Sequence, residues 1–327
     1  MNKKSRKVER AASDGAPGEA AVAASSPLVA TTTPPPAAHR SSLPLVIINP
    51  ASAGGATGRS WPRVASDLRT HFGAFNCVFT KGAGDARLIA EGEAVQGRSL
   101  IIACGGDGTI SEVANGIIES GADAELGILP SGTGGDFKRT LKIPARAADA
   151  AAALRSGRSV RVDVGRVEFQ DRAGAPASRY FLNVASCGMG GEVIRRVEEN
   201  STGWLTSASR RVVGGGQLSY ALASLQTTAS FDQPMRRIQL DDHPEFRLVV
   251  ANLCIANARY FGGGMKIAPE AKLNDGLLDV VAVGDLGALE ILTNVYKLYL
   301  GTHLGMQKVR HTLARRIRAS ATDADRK

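Results

Sequence analysis

The chain has 327 residues, 43% of them hydrophobic, enough apolar material for one large or two medium domains, which excludes a wholly disordered chain. Its 40 basic and 31 acidic residues give a net charge of +9, and the excess sits at the ends. Residues 1–42 hold six basic and three acidic residues, 297–327 hold eight and two, and 43–296 hold 26 of each sign. A nucleic-acid reader carries its charge on the folded body, so this distribution speaks against nucleic acid as a partner and fits attraction to an anionic membrane.

Four cysteines (Cys77, Cys104, Cys187, Cys254) show neither CxxC nor any paired spacing. They read as small buried residues of a reducing compartment rather than a disulfide framework or zinc knuckle. The Ala-rich stretch near the N-terminus is broken by Ser25, Ser26 and Pro27, and no apolar run approaches the roughly 18 residues of a spanning helix. Neither a transmembrane segment nor a signal peptide is expected, and the protein is expected to be cytoplasmic.

Residues 1–42 run from a basic head into Ala, Ser, Thr and Pro, ending in Pro34-Pro35-Pro36. Such a composition buries too little apolar area to offset its ordering entropy, so a disordered tail is expected. From Leu43 the pattern is strand, loop, helix, repeated. Leu45-Val46-Ile47-Ile48 is a continuous β-branched run of the kind buried on both faces of a parallel sheet. A helix over about 60–70, a strand near 77–80, a helix from about Asp85 and a strand at 100–103 follow. The loop at 105–109 then opens a helix whose apolar positions Ile110, Val113, Ala114, Ile117 and Ile118 have helical spacing. A strand at 126–129 precedes a second small-residue loop and another helix from Asp136. This alternation argues a parallel α/β sheet over 43–158. Beyond about 160 the texture becomes β-rich, with strands expected at 160–167, 180–184, 247–256 and 277–283 and helices at 191–199 and 218–228. The expected organisation is an α/β nucleotide domain (43–158), a mainly antiparallel β domain (159–318) and a tail (319–327).

In an open parallel sheet, ligands bind outside the carboxyl ends of the strands. Three small-residue loops fall there, at 49–55, 105–109 and 130–136, two of them containing an Asp. Any one is a tight turn in most proteins; three at one edge look like a nucleotide-phosphate cradle, because glycines and helix starts bring amide donors to phosphate oxygens. The P-loop pattern is absent, and Gly132-Thr133-Gly134 lacks the third glycine of the dinucleotide fingerprint. Asp107 inside a phosphate loop would repel the ligand unless a cation such as Mg²⁺ bridges them. Asp136 and Asp163 are candidates to join it through waters, with a helix cap and a strand-end turn as their structural alternatives. Thr109 and Thr133 are loop hydroxyls that suit either a cap or a phosphate. The five histidines have no metal-ligand spacing, and nothing matches GxSxG.

The string GGDGTISEVANGI at 105–117 resembles the signature of the diacylglycerol kinase family of lipid kinases, which includes bacterial diacylglycerol, YegS-like and sphingoid-base kinases. The resemblance extends through IINPASAGG, TKGAGDA (80–86), PSGTGGDF (130–137), VDVGRV (161–166), YFLNVASCGMGGEV (180–193) and NARYFGGGMKIAPEAKLNDGLLDV (257–280). It implies the two-domain fold shared with NAD kinases, with an ATP site between the domains and phosphoryl transfer to a lipid hydroxyl at the inner membrane face. Carried onto matching positions, it implies nucleotide contacts from Asn49, Thr80, Gly105, Gly106, Asp107, Gly108, Thr109, Ser111, Glu112 and Thr133. A catalytic Mg²⁺ would be held through Asp107, Asp136 and Asp163, and a second, structural Mg²⁺ through Lys272, Asp275 and Leu277. Asn274-Asp275-Gly276, taken alone, reads as a turn. Two departures stand out: Gly135 replaces the Asn usual before Asp136, and no Asp-Gly-Glu, the family's general-base motif, occurs in the sequence. The second suggests a truncated sequence whose activity is impaired, a non-catalytic nucleotide- or membrane-binding relative, or a sheet edge left open to homodimer formation. A soluble-substrate kinase of the NAD kinase type is the remaining alternative, disfavoured by the FGGGMKIAP and NDGLLDV strings.

Overall fold

The structure, a computed structural model, describes residues 20–24, 43–131, 135–171, 173–188 and 235–321. The helices expected at 191–199 and 218–228 lie outside the described residues. The first half is a parallel sheet of order β3-β2-β4-β5, formed by β2 (Leu45–Ile48), β3 (Asn76–Phe79), β4 (Leu100–Gly105) and β5 (Glu125–Pro130). The pairing of Leu45 with both Asn76 and Ile101 sets the register. Alternating side chains of β2 and β4 enter opposite cores, Ile47 and Ile101 one, Val46 and Ile102 the other. That is why both strands read as unbroken apolar runs.

Four helices flank these strands: α1 (Ala56–His71), α2 (Asp85–Val95), α3 (Asp107–Ser120) and α5 (Ala147–Arg155), with the short α4 (Asp136–Leu141) between β5 and α5. α1 begins before the expected residue 60 because its first turn is tied to the preceding loop: the amides of Thr57 and Gly58 donate to the carbonyls of Ser52 and Pro50. α3 buries Ile110, Val113, Ala114 and Ile117 and crosses α2 closely at Gly116, where a Cβ would lie 2.2 Å from the Arg87 carbonyl oxygen. Cys77 is exposed, against expectation, because β3 is the edge of the sheet; Cys104 and Cys254 are buried as expected.

The second half is a β-sandwich. One sheet has order β13-β12-β11-β8, from β8 (Val184–Gly188), β11 (Asn252–Ala256), β12 (Leu278–Val283) and β13 (Val309–Ala314), and is antiparallel throughout. The other has order β10-β9-β14-β1-β6-β7, from β1 (Ala20–Ala24), β6 (Gly165–Gln170), β7 (Pro176–Phe181), β9 (Met235–Leu240), β10 (Phe246–Val249) and β14 (Arg316–Ala321). Ile238, Ile317 and Ala319 of the six-stranded sheet face Leu253, Ile255, Leu278 and Val280 of the other across one core. A helix, α6 (Ala288–Leu300), follows β12.

Several expected strands are cut or shifted. The apolar run at 247–256 is two strands in different sheets, β10 and β11, with the chain crossing at Val250 and Ala251. The strand expected at 160–167 starts only at Gly165, because Val162 and Val164 pack into the first core and the Asp163 amide bonds the Leu273 carbonyl instead of a neighbouring strand. Within the expected tail, Ala20–Ala24 forms a strand between β14 and β6, Val22 opposite Ile317 and Val167.

Candidate functional site

The carboxyl ends of β2, β3, β4 and β5 carry four loops side by side. Asn49 spans two of them: its side-chain amide donates to Thr109 Oγ1 at 3.1 Å, and its Oδ1 accepts the Ala51 amide at 3.1 Å. Thr57 and Ser131 share a hydrogen bond of 2.7 Å that joins the first loop to the last. Glu112 on α3 accepts the Gly84 amide at 3.0 Å, and Thr80, buried, donates its amide to Ile48 at 2.8 Å. Thr80, Asn49, Thr109 and Glu112 thus serve as braces of the loop cluster. The first amides of α3 have no helical acceptor, as at any helix start, and the helix dipole favours an anion there. Gly105, Gly106 and Gly108 lie at that start, and Ser111 is in the next turn. Thr133 lies outside the described residues.

Asp107 is the first residue of α3, and its two carboxylate oxygens accept the amides of Asp136 (2.9 Å) and Phe137 (3.1 Å). It therefore caps α4 from a different loop, a role that local sequence patterning does not reveal. Asp136 is 4% exposed and reaches the other half of the molecule, accepting the Gly263 amide at 2.8 Å while pairing with Arg139. Burial, chiefly, pushes its carboxyl above the ordinary range; the Gly263 amide opposes this and the Asp107 charge adds to it. Burial raises the Tyr299 phenol of α6 too, with a smaller contribution from the Asp136 charge.

Asp163 occupies a different setting. Its carboxylate accepts the Gly276 amide at 2.7 Å, and its carbonyl accepts the Asn257 side chain at 2.7 Å. Asn257 is 1% exposed and also bonds the Leu182 carbonyl at 2.9 Å, while its Oδ1 and that of Asn183 are buried without a partner among the described residues. Asn257, Asn183, Gly263 and Arg139 received no role from the sequence, although three of them lie within its distinctive strings. Asp275 accepts the Leu277 amide at 3.1 Å, closing the turn in which Lys272 also lies.

The acids therefore form two settings, Asp107 with Asp136 at the loop cluster and Asp163 with the 273–277 turn. Among the described residues, no group of three or more His, Cys, Asp or Glu side chains could hold a metal alone. Two adjacent carboxylates, one buried and raised, nevertheless suit a divalent cation that keeps waters and takes further ligands from phosphate oxygens, as Mg²⁺ does.

Comparison with known proteins agrees with this layout. The diacylglycerol kinase catalytic domain matches residues 44–167, and the YegS C-terminal NAD kinase beta sandwich-like domain matches residues 200–326. The diacylglycerol kinase of Bacillus subtilis is 30% identical over 245 residues, 75% of this chain and 74% of that protein. The diacylglycerol kinase of Staphylococcus saprophyticus is 29% identical over 276 residues, 84% of each. In fold, the chain superposes on the crystal structure of a Bacillus anthracis diacylglycerol kinase with a TM-score of 0.60 at 23% identity, covering 86% of each chain.

Proposed function

From the premise that the chain belongs to the diacylglycerol kinase family of phosphotransferases, we propose that it transfers the γ-phosphoryl group of ATP to a hydroxyl of diacylglycerol or a related lipid. The observation that carries this reading is the loop cluster at the carboxyl edge of the parallel sheet, with the Asp107–Asp136 pair locked beside the open start of α3. Phosphoryl transfer depends mostly on positioning and on stabilising charge. The α3 amides would hold the phosphates, and Asn49, Thr57 and Ser131 would keep the loops at a fixed spacing. Asp107 and Asp136 would hold Mg²⁺, which supplies charge neutralisation between phosphate oxygens when bound. Because Asp136 also grips Gly263, nucleotide and acceptor halves would be kept in one alignment. Incubation with radiolabelled ATP over a panel of diacylglycerol, monoacylglycerol, sphingoid base and phosphatidylglycerol should label one lipid in a Mg²⁺-dependent manner. Labelling of a soluble acceptor alone would transfer the assignment to the NAD kinase type of activity, and no labelling of any acceptor would overturn it.

The lipid is presented at an anionic membrane surface in this proposal, and one sheet face supports it. Along the outer face of the six-stranded sheet, opposite the core residues Ile238 and Ile317, register and alternation place Arg237 beside Arg247 and, further along, Arg316, Arg318 and Arg166, of which Arg166 pairs with Glu168 at 2.9 Å and Arg316 approaches Asp242 at 3.9 Å. Met235 and Val249, 41% and 37% exposed, pair at one end of this face and add an apolar edge. Each guanidinium near an anionic surface contributes about 1 kcal/mol. No helix among the described residues is long and apolar enough to cross a membrane. Sedimentation with vesicles should increase with anionic lipid, fall with salt, and fall further in Arg247→Glu with Arg318→Glu. Equal sedimentation on neutral and anionic vesicles, or preferential retention on nucleic acid, would remove the membrane from the proposal.

A further inference from the structure

Gly135 caps the N-terminus of α4 with φ 63° and ψ 49°, in the left-handed region. Glycine is not the sole residue that this backbone accepts, since Asn also adopts it at little cost. A side chain at this position would instead require the end of Lys138 to move. A Cβ on Gly135 would lie 2.4 Å from Cε, 2.7 Å from Cδ and 2.9 Å from Nζ of Lys138. The Lys138 chain therefore folds back toward the start of α4, the direction helical side chains lean, and occupies the volume that the missing Gly135 side chain leaves. Together with Gly105, Gly106, Pro130 and Ser131, Lys138 lines a small cavity between the 105–109 loop and the last loop. Its neighbour Arg139 is committed to Asp136. No carboxylate pairs with the Lys138 ammonium among the described residues. A cation thus lies over Gly135, beside the 105–109 loop, without a carboxylate partner among the described residues.

We propose that Lys138 binds the phosphates of the nucleotide, its ammonium delivered over Gly135 into the gap between the two glycine-bearing loops. The proposal rests on the nucleotide reading above and adds a residue to it. In place of the uncharged amide that an Asn at 135 would present, this chain presents a positive charge, so its affinity would rise with the number of phosphates on the ligand.

The test is calorimetric titration of the full chain with ATP, ADP and adenosine in the presence of Mg²⁺. Lys138→Met should weaken ATP about tenfold, the loss expected for one charge-assisted hydrogen bond, weaken ADP by less, and leave adenosine unchanged. Lys138→Arg should restore most of the loss, and Gly135→Asn should reproduce it, because the new side chain takes the volume the lysine needs. Lys138→Gln serves as the second variant should the Met variant fail to fold, judged by its melting temperature. Wild-type ATP affinity in the folded Met or Gln variant would overturn the proposal while leaving the nucleotide site standing, as would an equal loss for adenosine, the mark of a structural role. A wild-type chain that binds no ATP would overturn the nucleotide reading and this proposal together.

Discussion

The two halves of the molecule arrange their acids differently, although in both the carboxylates accept backbone amides. In the parallel half, Asp107 and Asp136 approach each other at the start of α3 and α4, so that one carboxylate raises the proton affinity of the other. In the β half, Asp163 and Asp275 each accept a backbone amide of the 273–277 turn, from Gly276 and Leu277. Charges crowded together in a buried place cost stability unless a ligand or cation relieves them, whereas acids that cap turn amides stabilise the fold unaided. Under the proposed function, the difference would separate a carboxylate pair that takes up a cation from a turn that is complete in itself.

The largest effect that would test this contrast is on phosphoryl transfer. Asp136→Asn should lower the transfer rate by about 10²–10³-fold, as expected for removal of a group that positions or neutralises transition-state charge, with a small change in melting temperature because the amide oxygen still accepts from Gly263. Asp163→Ala should act the other way round. It leaves the Gly276 amide without its acceptor, costing about 1–3 kcal/mol of stability, and should lower the rate far less than Asp136→Asn. Rates measured at matched folded fractions decide it; a greater loss in the Asp163 variant would put the chemistry at the turn.

A second comparison concerns cohesion. Ile102 lies in a core of the parallel sheet and Ile255 in the sandwich core, both at most 3% exposed. Truncation of either to Ala should cost about 2–5 kcal/mol. The Asp136–Gly263 bond and the burial of Leu182 and Ala258 in the first core tie the halves together, so both variants should melt in one shifted transition. Two separated transitions in a calorimetric scan would show that the halves unfold independently.

The parallel half was more legible from sequence than the sandwich, for physical reasons. Strands such as 45–48 and 100–103 are buried on both faces and stop at glycine or proline, so composition marks their ends. In the sandwich, strands change sheets without a turn signal. Nothing in RLVVANLCIA indicates that Val249 ends one strand and Asn252 begins another in the opposite sheet. The loops of the site were found because glycine is needed where backbone meets ligand. The hydrogen bonds that link them were not, because Asn49 to Thr109 spans 60 positions and Asp136 to Gly263 spans 127. The strand at 20–24 carries no sequence signal of its own, because a short Ala-Val run becomes a strand only through its partners.

The smallest expected effect lies far from the loop cluster. His303, in the 3-10 turn His303–Gly305, is 2% exposed and bonds the Ile267 carbonyl at 3.1 Å. Burial, above all, lowers its pKa below the ordinary 6.5, and the nearby His311 charge adds to this, against opposing hydrogen bonds to the backbone of Ile267 and Lys297. As pH falls through 6.5 the unfolded chain takes up a proton that the folded chain does not. Stability contributed by neutral His303 is therefore present above pH 6.5 and declines below it, until the pH reaches the depressed folded value. Asp136 and Asp279, both raised from 3.8 chiefly by burial, act in the opposite sense, because the folded chain retains protons that the unfolded chain has released, so their effect diminishes stability as pH rises above 3.8. Comparing variants isolates the histidine from these acids. Between pH 7.5 and pH 5.5 the melting temperature of the wild-type chain should drop by more than that of His303→Gln, which keeps a side-chain amide able to donate to the Ile267 carbonyl but cannot titrate. An identical drop in both would mean that the folded chain protonates His303 as readily as the unfolded one, and that burial under α6 and β13 places no cost on its charge.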